Sequence, residues 1–355
     1  MKFKEEIKIG NRRIGAGQPV FIVAEISGNH NQSFSRAKKL VESACKIGVD
    51  AVKLQTYTAD TLTIDCPEKW FKVKGNALWN GKTLYQLYKQ AYTPWEWHPK
   101  LKKIADKYGV ILFSTPFDET SVNFLVKMNV PAFKIASFEI GDIELLKKVA
   151  DAKKPVIISR GMASQKELKS AVLTLKKHGA PEIAILHCVS SYPAKPEEMN
   201  LATITDIKKR FKVVTGLSDH TLGIATAITS VALGASIIEK HFTLKRSDGG
   251  PDSAFSLEPE ELRNLVQSIR DAEKSVGEVK YGAGKKEAEN TIFKRSLFAV
   301  ESIKRGQELT RKNIRSIRPG HGLDPKHLAK ILGKKAKKDI KRGTPLSWPL
   351  IHGKF

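Results

Sequence analysis

The stretch FKVVTGLSDHTLGIATAITSVALGASIIEKHF, residues 211–242, holds two apolar segments with a helical segment between them. The first apolar segment, FKVVTGL, is followed by Asp219 and His220. The second, ASIIEKH, ends with Glu239 and His241. Continuous apolar runs are typical of parallel strands whose two faces are covered by helices. The stretch therefore predicts a strand–helix–strand unit in which a carboxylate and an imidazole lie at the end of each strand.

The same unit recurs along the chain, and amphipathic helical stretches such as SRAKKLVESACKIG and QKELKSAVLTLKKHG lie between the apolar runs. The predicted strands are FIVAEI (21–26), DAVKLQ (50–55), VILFST (110–115), AFKIAS (132–137), PVIISR (155–160), EIAILHC (182–188), FKVVTGL (211–217) and ASIIEKH (235–241). Eight such units favour an α/β fold, a (β/α)8 TIM barrel. A doubly wound open sheet is the alternative, but no GxGxxG follows the first strand.

Two segments fall outside the barrel pattern. Residues 4–16, KEEIKIGNRRIGA, carry alternating apolar residues around a Gly-Asn turn and predict a hairpin that covers the bottom of the barrel. Towards the C-terminus, short strand-like runs with frequent Gly and Pro predict a small, mostly β domain over residues 296–355. We expect a barrel domain over residues 1–283 and a polar linker over residues 284–295.

Composition bounds the class of protein. A chain of 355 residues with 41% hydrophobic content can bury one large core plus a small appendage. No run of about 18 apolar residues occurs and the N-terminus lacks the apolar core of a signal peptide, so we expect a cytoplasmic protein with no membrane partner. The three cysteines, Cys45, Cys66 and Cys188, are widely spaced without a CxxC pair, which predicts reduced thiols rather than disulfides or a zinc cluster.

The formal net charge of +24 raises the question of nucleic acid. The lysines are spread over predicted helix faces throughout the chain, which is typical of a solvated surface, so we expect no nucleic-acid partner. Such a surface also creates a positive field that attracts small anionic substrates.

The predicted barrel gathers polar side chains at one mouth, because barrel enzymes carry their reacting groups at the carboxyl ends of the strands. The candidates are Glu25, Lys53 with Gln55, Ser114 with Thr115, Lys134 with Ser137 and Glu139, Ser159 with Arg160, Ser190 with Tyr192, Asp219 with His220, and Glu239 with His241. A lone Ser or Glu after a strand is more often a helix cap. Charged residues inside apolar runs are different, since burying them unpaired costs several kcal/mol. We therefore predict a functional mouth.

The paired histidines favour a metal. The last two strands are neighbours in a barrel, so His220 and His241 are expected to face each other. Two imidazoles with the carboxylates of Glu25 and Glu239 nearby suit a divalent ion that keeps open positions. The alternative is a metal-free pair hydrogen-bonded to Asp219 and Glu239. The sequence around neither histidine has the HExxH pattern of a metalloprotease.

The other side of the mouth favours an anion. Lys53 and Lys134 would be joined there by hydroxyl donors from Ser114, Thr115, Ser137, Ser159 and Ser190. Such a pocket suits a phosphate and a carboxylate together. A lysine in a barrel can instead form a Schiff base, as aldolases do.

These motifs carry a family resemblance. AEISGNHNQS, AVKLQTY, FSTPFD, FKIASFEIGD, ISRGM, HCVSSYP, GLSDHT, EKHFTL and GPDSAFSLEP resemble those of sialic acid synthases, which condense phosphoenolpyruvate with an N-acylated mannosamine-type sugar. SLFAVESIKRGQELTRKNI and IRPGHGLDP resemble the antifreeze-like SAF domain that such synthases carry. The resemblance implies N-acetylmannosamine as acceptor, giving a sialic acid and phosphate. Its 6-phosphate, or a diacetamido-trideoxy sugar giving a legionaminic or pseudaminic acid, would meet nearly the same mouth.

The resemblance also implies roles at matching positions. Phosphoenolpyruvate would be held by Lys53, Thr115, Lys134, Ser137, Ser159 and Ser218. His220 and His241 would bind manganese, or Mg²⁺ or Co²⁺ in its place, while Glu25 and Glu239 would hold metal-bound water and the sugar. Further contacts to the substrate would come from Gln55, Glu139, Ser190, Tyr192 and Asp252.

Two more expectations follow from the family. Its members commonly form homodimers that exchange C-terminal domains, so Arg318 would reach the sugar N-acyl group of the partner. Ser190 stands where many bacterial members have Asn, and Ser253 where several have His, which bears on the sugar contacts.

The chemistry that the family implies is attack of C3 of the enol phosphate on the metal-polarised aldehyde carbon, addition of water at C2, and loss of phosphate by C–O cleavage. Two other classes remain open at this stage: an aldolase that uses pyruvate, and a carbohydrate-binding or ice-binding protein in which the barrel is a scaffold.

Overall fold

A computed structural model describes residues 5–74 and 79–353. The chain divides into two compact units, residues 1–277 and 278–355. The first begins with an antiparallel hairpin, β1 (Glu6–Ile9) and β2 (Arg12–Gly15), which turns at Gly10 with φ of +58°. A positive φ costs glycine no steric penalty, so the turn is well matched to its sequence.

Eight parallel strands follow and close a barrel: β3 (Phe21–Glu25), β4 (Ala51–Thr56), β5 (Ile111–Pro116), β6 (Phe133–Ile135), β7 (Val156–Ser159), β8 (Ile183–Cys188), β9 (Val214–Asp219) and β10 (Ile237–His241). The ring closes where β10 pairs with β3, with Ile237 opposite Phe21 and His241 opposite Glu25. The (β/α)8 prediction is confirmed and the open sheet is wrong. The strand boundaries differ from the predicted ones by at most two residues, except that β9 begins three residues later than predicted, at Val214. Phe211 is still the buried last residue of the preceding helix.

Helices cover the outside of the barrel between successive strands. They are α1 (Phe34–Ile47), α2 (Ala59–Leu62), α3 (Leu84–Ala91), α4 (His98–Lys107), α5 (Glu119–Lys127), α6 (Ile143–Asp151), α7 (Gln165–Lys177), α8 (Ala202–Phe211), α9 (Ala225–Ala232) and α10 (Pro259–Val276). Side chains cap several of them; Ser164 and Glu167, for example, form a reciprocal capping box at the start of α7. The long connection between β4 and β5 carries α2, α3 and α4.

The hairpin closes one end of the barrel. Ile7, Ile9 and Ile14 are fully or almost fully buried and belong to one apolar cluster with side chains from the amino-terminal ends of the strands, among them Phe21 and Phe113. With that end filled, the polar mouth at the carboxyl ends is where ligands can enter.

The second unit has its own small core, which includes Leu297, Leu309 and Ile331. Its elements are α11 (Lys285–Ala288), β11 (Ser296–Ala299), β12 (Ile314–Ile317) and α12 (Leu328–Ile331), and β11 pairs antiparallel with β12. Within the segment predicted as a linker, residues 285–293 form α11 and a 3-10 helix, Glu289–Phe293.

Two predictions about composition can be compared with the described residues. Cys45, Cys66 and Cys188 are all free thiols, and Cys45 and Cys188 are buried. Over residues 5–74 and 79–353, every helix is too short or too polar to cross a bilayer.

Candidate active site

A cavity of about 470 Å³ opens at the carboxyl ends of the strands. Most of the predicted substrate and metal residues line it: Lys53, Gln55, Lys134, Ser137, Glu139, Ser159, Ser190, Tyr192, Ser218, His220, Glu239, His241 and Asp252. Glu25 and Thr115 are buried and contact Lys53 instead. A second depression, about 650 Å³, lies beside the hairpin and is lined by none of these residues.

Two lysines and two glutamates form a buried ionic network on the cavity floor. The Lys53 Nζ contacts Glu25 Oε2, lies 3.5 Å from Glu239 Oε1, and donates to Thr115 Oγ1 at 3.1 Å. The Lys134 Nζ donates to both oxygens of Glu239, at 2.8 and 3.0 Å. The prediction that metal-side carboxylates and anion-side lysines lie apart is therefore wrong, because Glu25 and Glu239 neutralise the lysines directly.

This network sets the protonation of its members. Burial alone would raise the pKa of Glu239, but Lys134 and Lys53 outweigh it and hold that pKa below its usual range. Burial raises the pKa of Glu25, and Lys53 offsets the rise only in part. Burial lowers the pKa of Lys53, but Glu239 and Glu25 more than reverse this, so Lys53 stays an ammonium. An ammonium binds anions and is a poor Schiff-base nucleophile, which argues against an aldolase that uses Lys53. Burial lowers the pKa of Lys134 even though Glu239 opposes the shift, so Lys134 is not excluded as a Schiff-base residue on this ground.

Strand alternation turns some predicted mouth residues away from the cavity. Asp219 is fully buried and accepts from Lys240 Nζ at 2.8 Å. Ser114 lies 2.7 Å, Oγ to Oγ1, from Thr56. Arg160 donates to His187 Nδ1 at 3.2 Å. Successive side chains of a strand point to opposite faces, so the predictions that placed Asp219, Ser114 and Arg160 at the mouth are wrong.

The two histidines meet at the rim of this floor. The ring centroids of His220 and His241 are 5.3 Å apart at an interplanar angle of 69°. His220 Nδ1 donates to the Val189 carbonyl at 2.8 Å. Burial alone would lower the pKa of His220, but the adjacent Cys188 more than reverses this, so Nε2 offers a free lone pair only once the imidazolium has lost a proton. The hydrogen bonds expected for a metal-free pair are not made: Asp219 is bound to Lys240, and Glu239 to Lys134.

His241 is the more unusual of the pair. Its Nδ1 is buried, has no hydrogen-bond partner among the described atoms, and lies 3.9 Å from Asp252 Oδ2. Burial and the adjacent His220 hold the pKa of His241 well below its usual value. A neutral imidazole with an unused nitrogen is the form that binds metals. Within the described residues, no group of three or more His, Cys, Asp or Glu side chains is placed to hold a metal ion by itself. An ion held by His220 and His241 would therefore need water or substrate to complete its coordination.

Hydroxyl groups cover the floor beside the lysines. The Oγ atoms of Ser137 and Ser190 are 2.8 Å apart, while the buried Ser159 Oγ has no partner within the described residues. Gly161 makes room for them, since a Cβ there would lie 2.2 Å from Ser137 Cβ. Glu139 faces the same space, and burial raises its pKa to about 7. A buried unpaired hydroxyl costs about 1–3 kcal/mol unless a ligand satisfies it.

The prediction missed an aromatic and aliphatic side of the cavity. Tyr57, Trp79 and Phe117 line it together with Leu62, Val73, Leu84, Leu87 and Tyr88. Tyr57 directly follows β4, in the position where barrel enzymes carry site residues, and this signal was available. The residues further along the β4–β5 connection carry no such signal, because an apolar cavity wall and an apolar core look alike in sequence.

Arg318 lies in the second unit, directly after β12, and is solvent-exposed within the single chain. The structure thus brings together the predicted barrel residues, and leaves the role predicted for Arg318 untested.

Comparison with known proteins agrees with this architecture. Residues 40–281 match the NeuB family and residues 294–351 match the SAF domain. A pseudaminic acid synthase of Campylobacter jejuni is 42% identical over 96% of this chain and 98% of its own length. An N,N'-diacetyllegionaminic acid synthase of Legionella pneumophila is 37% identical over 95% of this chain and 96% of its own.

A solved structure is similar as well. The N-acetylneuraminic acid (sialic acid) synthetase of Leptospira borgpetersenii, in complex with citrate, superposes with a TM-score of 0.72 at 35% identity, covering 81% of this chain and 95% of its own. Fold, site and similarity over nearly the whole chain agree: this chain belongs to the NeuB family and carries a SAF domain at its C-terminal end.

Proposed function

We propose that this protein is a nonulosonic acid synthase, which condenses phosphoenolpyruvate with an N-acylated amino sugar and water to give a nine-carbon acid and phosphate. One observation carries the proposal: a single cavity holds two buried lysines, a partnerless serine hydroxyl and two adjacent imidazoles. Family membership supports the same reaction class.

The lysines and hydroxyls fit the enol phosphate. Lys53 and Lys134 supply two fixed positive charges, and Ser159, Ser137 and Ser218 supply donors around them. A phosphate and a carboxylate on one small molecule would satisfy these groups together. Because the ammoniums are already held by Glu25 and Glu239, they need little reorganisation when charge moves during the reaction.

The two imidazoles fit a divalent metal. His241 presents a partnerless buried nitrogen, and the hydrogen bond from His220 Nδ1 to Val189 leaves Nε2 for the metal once the His220 ring is neutral. Two nitrogen ligands with open positions suit Mn²⁺, with Mg²⁺ or Co²⁺ as alternatives, and such an ion would polarise the acceptor aldehyde when bound. Equilibrium dialysis should show Mn²⁺ bound by the wild type and lost in both His220→Ala and His241→Ala.

The two glutamates take different roles in this proposal. Glu239 accepts from Lys134 and from Ser218 Oγ at 3.2 Å, and its pKa is lowered, so it acts as a fixed countercharge. Glu25 has a raised pKa and, among the described residues, forms an ion pair with Lys53 alone, so it is the better group to accept a proton from the water that adds to C2.

The sugar acceptor is more consistent with a diacetamido sugar than with N-acetylmannosamine. The sequence alone implied N-acetylmannosamine, whereas the relatives with high identity are named for pseudaminic and N,N'-diacetyllegionaminic acids. We therefore favour a diacetamido sugar as the substrate over N-acetylmannosamine.

A homodimer completes the proposal. Five large apolar side chains on the loops around the mouth are more than half exposed in the single chain: Ile64, Trp70, Phe138, Met162 and Leu222. Exposed apolar residues gathered on one face are typical of an interaction site. We infer that a second copy covers this face and that the partner's Arg318 reaches the acceptor.

The experiment is phosphate release from phosphoenolpyruvate by metal-stripped protein, with and without Mn²⁺, across a panel of N-acylated amino sugars. The proposal expects release that needs both sugar and metal. Release without any sugar, or none with any sugar from a folded protein, would contradict it.

A further inference from the structure

Arg160 is a half-buried arginine that has no part in the reaction proposed above. It follows Ser159 at the end of β7, and its side chain does not line the cavity. The guanidinium donates from Nε to His187 Nδ1 at 3.2 Å and from Nη1 to the Gly161 carbonyl at 2.9 Å. Because its donors form a planar fork, one arginine can hold two groups in a fixed relation. Arg160 therefore joins the neighbouring strand, β8, to the turn that follows β7.

His187 is held so that it can accept this bond. The ring is fully buried on β8, and its Nε2 donates to the Met199 carbonyl. A carbonyl can only accept, so Nε2 carries the hydrogen and, in a neutral ring, Nδ1 is the acceptor for Arg160. Burial lowers the pKa of His187, which keeps the ring neutral. The histidine is thus a fixed anchor for the arginine.

The turn that Arg160 holds packs against the hydroxyl side of the cavity. Ala163 N donates to the Arg160 carbonyl at 2.9 Å, and Gly161, within this turn, has φ of +47°. A Cβ at Gly161 would lie 2.2 Å from Ser137 Cβ and 2.9 Å from Ser190 Oγ, so the backbone leaves no room for a side chain there. Glycine has the greatest backbone freedom of any residue, so a bond to its carbonyl restricts the turn where it is most flexible.

The residue before the turn carries a hydroxyl that awaits a ligand. Ser159 Oγ is buried and has no partner among the described atoms. Ser159 and Ser137 are two of the donors proposed above for the enol phosphate, and the turn held by Arg160 begins directly after the first and packs against the second. Fixing this turn therefore fixes the position of both donors.

We propose that Arg160 is a positioning residue: from outside the cavity, and anchored by His187, it holds the turn after β7 so that the serine donors keep the geometry that binds phosphoenolpyruvate. This inference rests on the proposed synthase function and adds a residue that acts on the site without contacting the substrate.

Arg160→Ala removes both side-chain bonds. The Kd for phosphoenolpyruvate, measured by isothermal titration calorimetry without sugar, should rise by about tenfold. In the phosphate-release assay the KM for phosphoenolpyruvate should rise with it, while kcat changes by less than about threefold. Mn²⁺ affinity should stay within about twofold of the wild type, because it depends on His220 and His241. The matched control is Arg210→Ala on α8, whose partner Asp206 is 51% exposed and which should match the wild type.

Two further measurements separate positioning from a general loss of stability or charge. Free guanidinium, too dilute to denature the protein, should improve the affinity of Arg160→Ala for phosphoenolpyruvate by about threefold or more, whereas equal NaCl should not, because guanidinium presents the same planar fork. His187→Gln keeps the charge of Arg160 but removes its acceptor, so the Kd should rise by about fivefold. His187→Asn places an oxygen near the position of Nδ1 and should stay within about twofold of the wild type.

Unchanged phosphoenolpyruvate affinity in Arg160→Ala, or equal losses for phosphoenolpyruvate and Mn²⁺, would overturn the inference. So would a loss that guanidinium does not restore and His187→Gln does not reproduce. Because the Kd is measured without turnover, these outcomes stand even if no acceptor supports phosphate release, which would contradict the synthase function alone. A wild type that does not bind phosphoenolpyruvate would overturn both.

Discussion

At the scale of single residues, strand alternation decides what each polar side chain can do. In β9 and β10, Ser218, Glu239 and His241 line the cavity, while Asp219 and Lys240 point outward and pair with each other. The sequence motifs GLSDHT and EKHFTL contain cavity-lining and outward-pointing residues side by side. Period-two alternation distinguishes them in principle, but only once the inward face of each strand is known.

Glu25 should control the pH dependence of turnover. Its buried carboxyl has a raised pKa, so as pH falls it takes up a proton sooner than an ordinary glutamate and can no longer accept one from water. As pH falls, the kcat/KM of the wild type should therefore begin to drop at a pH above 4.5, which is the ordinary pKa of a glutamate. Glu25→Gln should lower kcat by about 100-fold or more and abolish that limb. An unchanged limb in Glu25→Gln would show that another group is the base.

Glu139 should make the fold less stable as pH rises. Burial raises its pKa to about 7 from 4.5, so between these values the folded protein binds more protons than the unfolded chain. The stabilising contribution is complete below pH 4.5 and is lost as pH rises through 7. Relative to the wild type, the unfolding free energy of Glu139→Gln should rise by up to about 3 kcal/mol as pH increases across this range. Unfolding free energies of the wild type and Glu139→Gln, measured from pH 4 to 9, check this. A difference between the two proteins that does not change with pH would contradict it.

At the scale of elements, buried ion pairs join neighbouring strands and loops. Lys240 on β10 and Asp219 on β9 are both fully buried, and Lys240 also contacts the carbonyl of Thr221. Removing one member of such a pair leaves the other as an uncompensated buried charge.

Lys240→Met should therefore lower the unfolding free energy by about 3–5 kcal/mol, and the double variant Asp219→Asn with Lys240→Met should recover much of the loss. The matched control is Lys147→Met on α6, whose partner Glu144 is 83% exposed and which should change stability by less than about 1 kcal/mol. Chemical denaturation of the four proteins measures this. Equal losses in Lys240→Met and Lys147→Met would mean that burial of the pair is unimportant.

The elements were predictable to different degrees. Eight apolar runs gave the barrel because parallel strands covered by helices need continuous apolar sequence. The start of the seventh predicted strand is wrong because Phe211 is buried at the end of α8, and a buried apolar residue looks the same in sequence whether it lies in a helix or in a strand. The aromatic and aliphatic side of the cavity was missed, since its role depends on where the long β4–β5 connection folds, which no local pattern encodes.

At the scale of the whole molecule, the proposed dimer makes the site depend on two copies. His241→Ala impairs the cavity of its own subunit. If Arg318 acts in the partner's cavity, Arg318→Ala impairs the cavity of the other subunit. Each variant alone should have little activity, but mixed and re-equilibrated dimers contain one cavity with both groups intact.

Mixing equal amounts of the two variants should then restore about a quarter of wild-type activity, since half of the dimers are mixed and one site in each is complete. Activity of each variant before mixing is the control. No recovery, with exchange of subunits confirmed by mass spectrometry, would place Arg318 outside the partner's site.

Condensation of phosphoenolpyruvate with C–O cleavage can be recognised from the position of an oxygen label in the products. Phosphoenolpyruvate labelled with ¹⁸O at the bridging oxygen would be incubated with Mn²⁺, the diacetamido sugar and the protein, and both products analysed by mass spectrometry. The proposed reaction yields one phosphate per nine-carbon acid, with the ¹⁸O in the phosphate. Label retained in the organic product, or phosphate formed without the nine-carbon acid, would contradict it.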